Sequence, residues 1–209
     1  MHVPDGFLSP QLTLPAWAAS VPLWSWAARR HFGRSASESL PVIGALAALA
    51  FVVQSIMIPL PGGTSTHLVG MTLLALLYHP LVAFVCEGLV LLVQALFFGA
   101  GGITVLGVNA LAMGLLGPLA GWGAWWLLRR VNERVAVFAA GWLSMQVATL
   151  AIALTLGLQH ALSERYYPVT FPVTLAAMMV PALVAGVAEG LYTVFAMSLL
   201  RKANLRGLG

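Results

Sequence analysis

The chain has 209 residues, of which 60% are hydrophobic and 8% charged, and a mean hydropathy of +0.94. A soluble domain carries about 25% charged residues, so this composition excludes an ordinary water-facing surface and predicts an integral membrane protein. The length suits a single domain over residues 1–209, and the formal charge of +4 reflects membrane topology better than a nucleic-acid partner, because the basic residues stand at segment ends.

The chain begins MHVPDGFLSP, which is neither a good helix start nor a good secretion signal. Asp5 is the only formal charge before Arg29, so the positively charged region of a signal peptide is missing. Pro10 and Pro15 also interrupt the apolar stretch that such a signal needs. We therefore expect residues 1–10 to be retained and to have a role of their own.

Seven candidate spans follow, since a helix needs roughly 20 apolar residues to cross a bilayer. The third is short because His79-Pro80 ends it, and Gly-Pro or Gly-Gly pairs separate several of the others. The predicted fold is an all-α membrane protein with seven transmembrane helices. The predicted spans cover about residues 11–30, 41–60, 66–78, 81–98, 103–128, 135–158 and 173–200.

The basic residues orient these spans. Nine of the ten Lys and Arg residues form three clusters, and seven spans place all three clusters on one side, whereas six would divide them. By the positive-inside rule that side is cytoplasmic, so we expect the N-terminus outside and the C-terminus in the cytoplasm. The clusters are Arg29, Arg30 and Arg34; Arg129, Arg130 and Arg134; and Arg201, Lys202 and Arg206.

A free amine at Met1 and an imidazole at His2 form a chelating group. A metal bound by the amine and the His2 amide nitrogen closes a five-membered ring, and the His2 Nδ1 closes a six-membered ring. These three nitrogens lie in one plane once the amide loses its proton, which suits Ni(II) or Cu(II), whereas zinc prefers a tetrahedron. Methionine removal generally needs a small second residue, so His2 also favours retention of Met1.

The candidate fourth ligand is His67, within PLPGGTSTHLVG, and residues 61–70 are interpreted as a metal-binding loop beside the metal-binding segment 1–10. Thr64 and Ser65 supply short hydroxyls placed to orient the ligands, and Asp5 is a further candidate for that role. The alternatives are a solvated loop histidine, an N-terminal histidine without function, and a turn aspartate. The residues alone leave these alternatives open.

Four stretches resemble the nickel/cobalt substrate-binding membrane subunits of energy-coupling-factor transporters, the CbiM/NikM family. They cover essentially the whole chain in the family's order and spacing: MHVPDGFLSP, PGGTSTHLVG, LVQALFFGAGGITVLGVNALAMGLLGP and AEGLYT. The resemblance implies seven helices, an outside N-terminus, and a metal held by the Met1 amine, the His2 amide and imidazole, and the His67 imidazole. This chain departs from the family's usual residues at Ala100, Val108 and Tyr78-His79-Pro80, none of which is a proposed ligand.

The resemblance also implies partners: a transmembrane coupling protein and two ATP-binding subunits, with or without a further small membrane subunit, in a prokaryotic plasma membrane. The chain itself has no Gly-x-x-x-x-Gly-Lys-Ser/Thr phosphate loop, so we expect it not to be an enzyme and ATP to be hydrolysed by the partners. We expect no permanent cofactor. Ni(II) is the favoured cargo, because the Pro-Asp-Gly opening resembles the nickel-associated branch of the family and because a deprotonated amide in a square plane favours Ni(II) over Co(II). Co(II) for cobalamin supply is the alternative.

Polar residues inside the spans complete the inventory. For Glu87 and Glu189, hydrogen-bonded structural carboxyls are favoured over a cation pathway. For Gln94 and Asn109, the alternatives are interhelical hydrogen bonding and packing around the metal loop. A function of another class, a membrane metalloenzyme, would need His2, His67 and Glu189 to converge on an open metal position; a structural subunit without a site is the third reading. Cys86, the single cysteine, excludes an internal disulfide and a cysteine-based metal cluster.

Overall fold

A computed structural model describes residues 1–32, 39–59 and 65–203. These residues form seven helices and one small antiparallel pair of strands. In chain order the elements are α1 Pro10–His31, α2 Leu40–Gln54, β1 Ile58–Pro59, β2 Ser65–Thr66, α3 Met71–Leu77, α4 Pro80–Phe98, α5 Leu106–Leu128, α6 Glu133–Leu162 and α7 Phe171–Lys202.

Four of the described helices, α4 to α7, are long and apolar enough to cross a membrane. Large apolar side chains stand exposed along them, where a soluble protein would place polar ones. The chain is therefore a multi-pass membrane protein, as its composition predicts. Examples of these exposed side chains are Leu89, Phe97, Leu127, Val184 and Phe195.

The second and third predicted spans are shorter helices than the sequence indicates. Helix α2 ends at Gln54, and the apolar residues after it enter the strand pair, in which Ile58 faces Thr66. Helix α3 has 7 residues, about 10 Å of helix, and does not span a bilayer by itself. It is instead packed inside the bundle, with Met71 and Leu74 fully buried.

Two tryptophans of helix α1 donate hydrogen bonds to backbone carbonyls of α4 and of the turn before α5. Trp17 Nε1 donates to the Thr104 carbonyl at 3.0 Å, and Trp24 Nε1 donates to the Phe84 carbonyl at 3.2 Å. Helix α5 contains a π-helical stretch, Ala110–Leu116, directly after Asn109. Such π-helical turns inside α-helices are frequent at functional sites.

The basic ends of the helices gather at one end of the bundle. The C-terminus of α1 meets the start of α4, where the His31 and His79 rings stack with centroids 4.7 Å apart. The C-terminus of α7 meets the start of α6 through an ion pair between Arg201 and Glu133. The described residues of the three predicted basic clusters therefore share one end, and Arg34 and Arg206 lie outside the described part of the chain. The N-terminal segment lies at the opposite end.

Close packing of α6 against α7 depends on Gly141. A Cβ atom there would lie 2.8 Å from both the Glu189 carbonyl oxygen and the Gly190 Cα. We expect Gly141→Leu to lower the free energy of unfolding by about 1–3 kcal/mol, because backbone atoms must move apart. Thermal unfolding in detergent measures this loss, with Gly123→Leu as the control, since no atom lies within 4 Å of a Cβ at Gly123. Equal melting temperatures for the two variants would contradict the close packing.

Candidate metal centre

The N-terminal segment enters the bundle and is buried there. Met1 is 1% exposed, His2 4% and Val3 0%. Thr149 of α6 donates a hydrogen bond to the Met1 Sδ, so the first side chain is anchored in the interior. A chain terminus is usually exposed and poorly ordered unless specific contacts hold it, which shows that this segment is a built part of the fold.

Asn109 binds the backbone of Val3 with both ends of its side-chain amide. Val3 N–H donates to Asn109 Oδ1 at 3.0 Å, and Asn109 Nδ2 donates to the Val3 carbonyl at 3.1 Å. Val3 therefore both donates to and accepts from one partner, as a residue in a hydrogen-bonded pair of antiparallel strands does. The two bonds fix the position of the residue that follows His2. The contact places Asn109 beside the predicted site, as a positioning residue for the segment.

Two further anchors hold the rest of the segment. The Asp5 carboxylate accepts from the backbone N–H groups of Ile103 and Thr104 at 3.1 and 3.0 Å. Ser9 N–H donates to the buried Gln159 Oε1 of α6 at 2.7 Å. Asp5 therefore positions the segment from one side and Gln159 from the other.

Met1, His2 and His67 are brought together. The Met1 amine donates a hydrogen bond to the Ser65 carbonyl, two residues before His67. The His2 and His67 rings stack with centroids 4.5 Å apart and an interplanar angle of 21°. The terminal amine and both predicted imidazoles thus share one buried position, although His67 is far from the first two residues in the sequence.

Nitrogen atoms at this position are free to bind a ligand. His67 Nδ1 lies 2.9 Å from the Leu68 carbonyl, which can only accept, so the proton is on Nδ1 and the Nε2 lone pair is free. His67 Nε2 and both His2 ring nitrogens are buried, and none of them has a hydrogen-bond partner among the described residues. A buried polar atom without a partner is costly, and a bound metal ion is one way to satisfy it.

Burial also keeps the donors neutral. It lowers the pKa of the Met1 amine and the pKa of the His2 imidazole below their ordinary values, and the neighbouring amine lowers that of His2 further. Neutral amines and imidazoles have the lone pairs that metal binding requires. In the part of the chain that the structure describes, no three His, Cys, Asp or Glu side chains cluster as a metal site. The groups that the fold brings together here are the Met1 amine and the imidazoles of His2 and His67.

Gly101 lies next to His2, in the turn between α4 and α5. Its φ is +75°, in the region that L side chains rarely adopt. A Cβ atom at Gly101 would also lie 3.5 Å from the His2 Cβ and 3.4 Å from Asn109 Nδ2. A side chain would fit at these distances, so it is the backbone conformation of the turn between α4 and α5 beside His2 that favours a glycine at this position.

A buried carboxylate, Glu189, binds the backbone of the loop that carries His67. Val69 N–H and Gly70 N–H each donate to the Glu189 carboxylate at 2.8 Å. Gln54 donates to the Val69 carbonyl at 2.9 Å and to Glu87 at 2.8 Å. The carboxyl of Glu189 is thus occupied with backbone groups, and the loop has a fixed path next to its histidine.

The remaining predicted residues are placed as follows. Ser65 contacts the Met1 amine through its carbonyl, and that contact needs no particular side chain. Thr64, with the start of the predicted loop 61–70, lies outside the described residues. Sequence reasoning missed Thr149 and Gln159, whose only signal was a polar side chain within an apolar helix.

Comparison with known proteins bears on the whole chain. The model of the CbiM family, the cobalt uptake substrate-specific transmembrane region, matches residues 2–206. The chain belongs to the CbiM family. Its resemblance to nickel/cobalt transport subunits is thereby confirmed, and with it a role as a transport component.

Relatives and a solved structure agree with this membership. The cobalt transport protein CbiM of Desulforamulus reducens is 35% identical over 202 residues, covering 96% of this chain and 81% of that protein. The fused nickel transport protein NikMN of Rhodobacter capsulatus is 34% identical over 217 residues, covering 98% of this chain and 62% of that protein. A crystal structure of a truncated transition metal transporter has a TM-score of 0.93 at 34% identity, covering 97% of this chain and 99% of that chain.

Proposed function

We propose that this CbiM-family chain captures Ni(II) at the outer face of a prokaryotic plasma membrane, as the substrate-specific component of an ATP-driven energy-coupling-factor importer. One observation carries the proposal: the Met1 amine and the rings of His2 and His67 share one buried position, with ring nitrogens that have no partner. Relatives named for nickel and for cobalt transport support the class of cargo.

The proposed ligands are the Met1 amine, the His2 amide nitrogen, His2 Nδ1 and His67 Nε2. The hydrogen bonds of the site support this set. A neutral amine can keep an N–H on the Ser65 carbonyl while its lone pair binds metal, and His67 keeps its Nδ1–H on Leu68. Partners of this kind orient metal ligands and raise their basicity. Binding is expected to replace the stacking of the two rings with edge-on contacts to the ion.

Nickel is proposed over cobalt because of the donor set. Four nitrogens, one of them a deprotonated amide, favour a square plane, and tetragonal nitrogen sites suit Ni(II). The Pro4-Asp5-Gly6 opening supports the same choice. Co(II) for cobalamin supply is the alternative, supported by the family's description and the cobalt-named relative. Competition between the two ions on the purified protein tests the choice, and a preference for Co(II) would reassign the cargo.

The proposal includes partners and an orientation. Without a phosphate loop, the chain depends on two separate ATP-binding subunits and a transmembrane coupling protein, with or without a further small membrane subunit. We propose that the seven helices are the seven membrane segments, of which α3 crosses only part of the bilayer, with the metal end outside and the basic end in the cytoplasm, where it meets the partners. Nickel accumulation by cells that express the chain with these partners tests this. Accumulation that is unchanged when the partners' ATP-binding lysines are removed would contradict it.

Metal affinity is expected to fall as the pH falls. The lowered pKa values of the Met1 amine and the His2 imidazole keep both groups neutral near pH 7, so the proton released on binding comes from the His2 amide. One released proton weakens binding by about tenfold for each unit of decreasing pH. Calorimetry of nickel binding in several buffers measures the affinity and the released protons. A flat affinity down to about pH 6.5, the ordinary histidine pKa, would contradict amide ligation.

A further inference from the structure

The chelate sets a condition on the His2 ring. His2 Nδ1 must have a free lone pair to close the six-membered ring with the amide nitrogen, so the proton of the neutral imidazole must be on Nε2. Because His2 is buried, that N–H needs an acceptor inside the protein. Metal-binding histidines generally donate their second N–H to such an acceptor, which fixes both tautomer and orientation.

The polar side chains that hold the N-terminal segment are already used. The Asn109 side-chain amide makes hydrogen bonds to Val3 with both its oxygen and its nitrogen. The Asp5 carboxylate accepts from two N–H groups of the turn before α5. Gln159 accepts from the Ser9 N–H and donates toward Ser163. None of these three side chains therefore offers a free acceptor to His2.

Gln94 of α4 differs from these three side chains. It is 1% exposed, and its Oε1 and Nε2 are both buried without a hydrogen-bond partner in the part of the chain that the structure describes. Burial lowers the pKa of the His2 imidazole, and the Gln94 side chain shifts it in the opposite direction. The Gln94 carbonyl accepts from the Ala100 N–H at 3.1 Å, which closes the turn that places Gly101 against His2. Gln94 thus holds the turn that lies against His2, and its side-chain amide and the His2 ring nitrogens are buried without hydrogen-bond partners among the described residues.

We propose that Gln94 is a positioning residue: its Oε1 accepts the His2 Nε2–H and thereby holds the Nδ1 lone pair toward the metal. This inference rests on the proposed function and names the residue that selects the tautomer of its central ligand. Gln94 does not touch the ion. It acts through His2, as Leu68 acts through the other imidazole.

Two substitutions separate positioning from packing. Gln94→Met keeps the size and unbranched shape of the side chain but removes the acceptor, and we expect nickel affinity to fall about 10–100-fold. Gln94→Glu keeps an acceptor, and we expect affinity within a few-fold of the original. A packing role predicts the opposite order, since methionine suits an apolar interior and a buried carboxylate does not. Unchanged affinity in Gln94→Met, or an equal loss in Gln94→Glu, would overturn the proposal.

The control is Gln146→Met, because Gln146 is a buried glutamine of α6 whose side chain donates to the Ala182 carbonyl of α7. It is expected to keep its nickel affinity. If Gln94→Met does not fold, nitrogen-15 NMR of the His2 ring in the unaltered protein decides instead. The proposal requires the proton on Nε2, and a proton on Nδ1 overturns it.

A chain extended by one glycine before Met1, with Gln94 in place, is measured alongside. If the extension abolishes binding and Gln94→Met does not weaken it, only the role of Gln94 is wrong. If the extension leaves binding unchanged, the proposed chelate itself is wrong.

Discussion

Replacing His67 with alanine is expected to abolish tight nickel binding. The substitution removes the only proposed donor outside the first two residues and leaves three nitrogens in the plane. The loss should exceed the roughly 10–100-fold that follows removal of a group that only orients a ligand. The fold should persist, because His67 makes its one side-chain hydrogen bond to the adjacent Leu68 carbonyl and the loop is held by Glu189. Equilibrium binding of nickel to the purified variant measures the effect.

His160→Ala is the matched control for this variant. His160 is a histidine at the end of α6 whose ring contacts Tyr167 and Glu164, with no contact to the candidate metal centre. It should bind nickel as the unaltered chain does. Nickel affinity that is retained in His67→Ala but lost in His160→Ala would move the site to another part of the protein.

Replacing Asn109 with alanine is expected to weaken nickel binding about 10–100-fold, although Asn109 is not a ligand. The two bonds to Val3 are lost, so the Val3 N–H and carbonyl remain buried without partners, at about 1–3 kcal/mol for each group. The N-terminal segment should then leave its position for part of the time. In the metal-free protein, the ligand atoms of Met1 and His2 would then be less ordered and less buried.

Nickel titration together with proteolysis of the N-terminal segment measures this variant. The control is Asn132→Ala, which removes an asparagine that accepts from Val135 N–H at the start of α6, at the opposite end of the bundle. Asn132→Ala should keep its nickel affinity. Full affinity in Asn109→Ala would show that the segment is held by other contacts and that Asn109 has no positioning role.

The sequence was most informative about the long helices. Helices α4, α6 and α7 begin and end within a few residues of the predicted spans, because long apolar runs between turn residues leave little choice. The end of the second span was wrong for a physical reason. Ile56 and Ile58 are apolar in either structure, and mean hydropathy does not distinguish the continuation of a helix from an apolar strand beside Pro59.

The candidate site divides in the same way. Met1, His2 and His67 could be named because chelation is a local property of the first two residues, and His67 was the histidine candidate in a turn-rich loop, which the resemblance also implies. The contacts from Gln159 to Ser9 and from Thr149 to Met1 join positions about 150 residues apart. The sequence around Gln159 and Thr149 does not indicate which distant residue each of them contacts, because that depends on how α6 packs beside the N-terminal segment.

The most direct test of the central claim is nickel and cobalt binding by the purified protein, compared with a chain extended by one glycine before Met1. The extension keeps every side chain but moves the free amine out of the chelate ring. The proposed site predicts that the extended chain loses tight binding, and the ion that the original chain prefers identifies the cargo. Equal binding by the two proteins would show that the amine is not a ligand and would contradict the account.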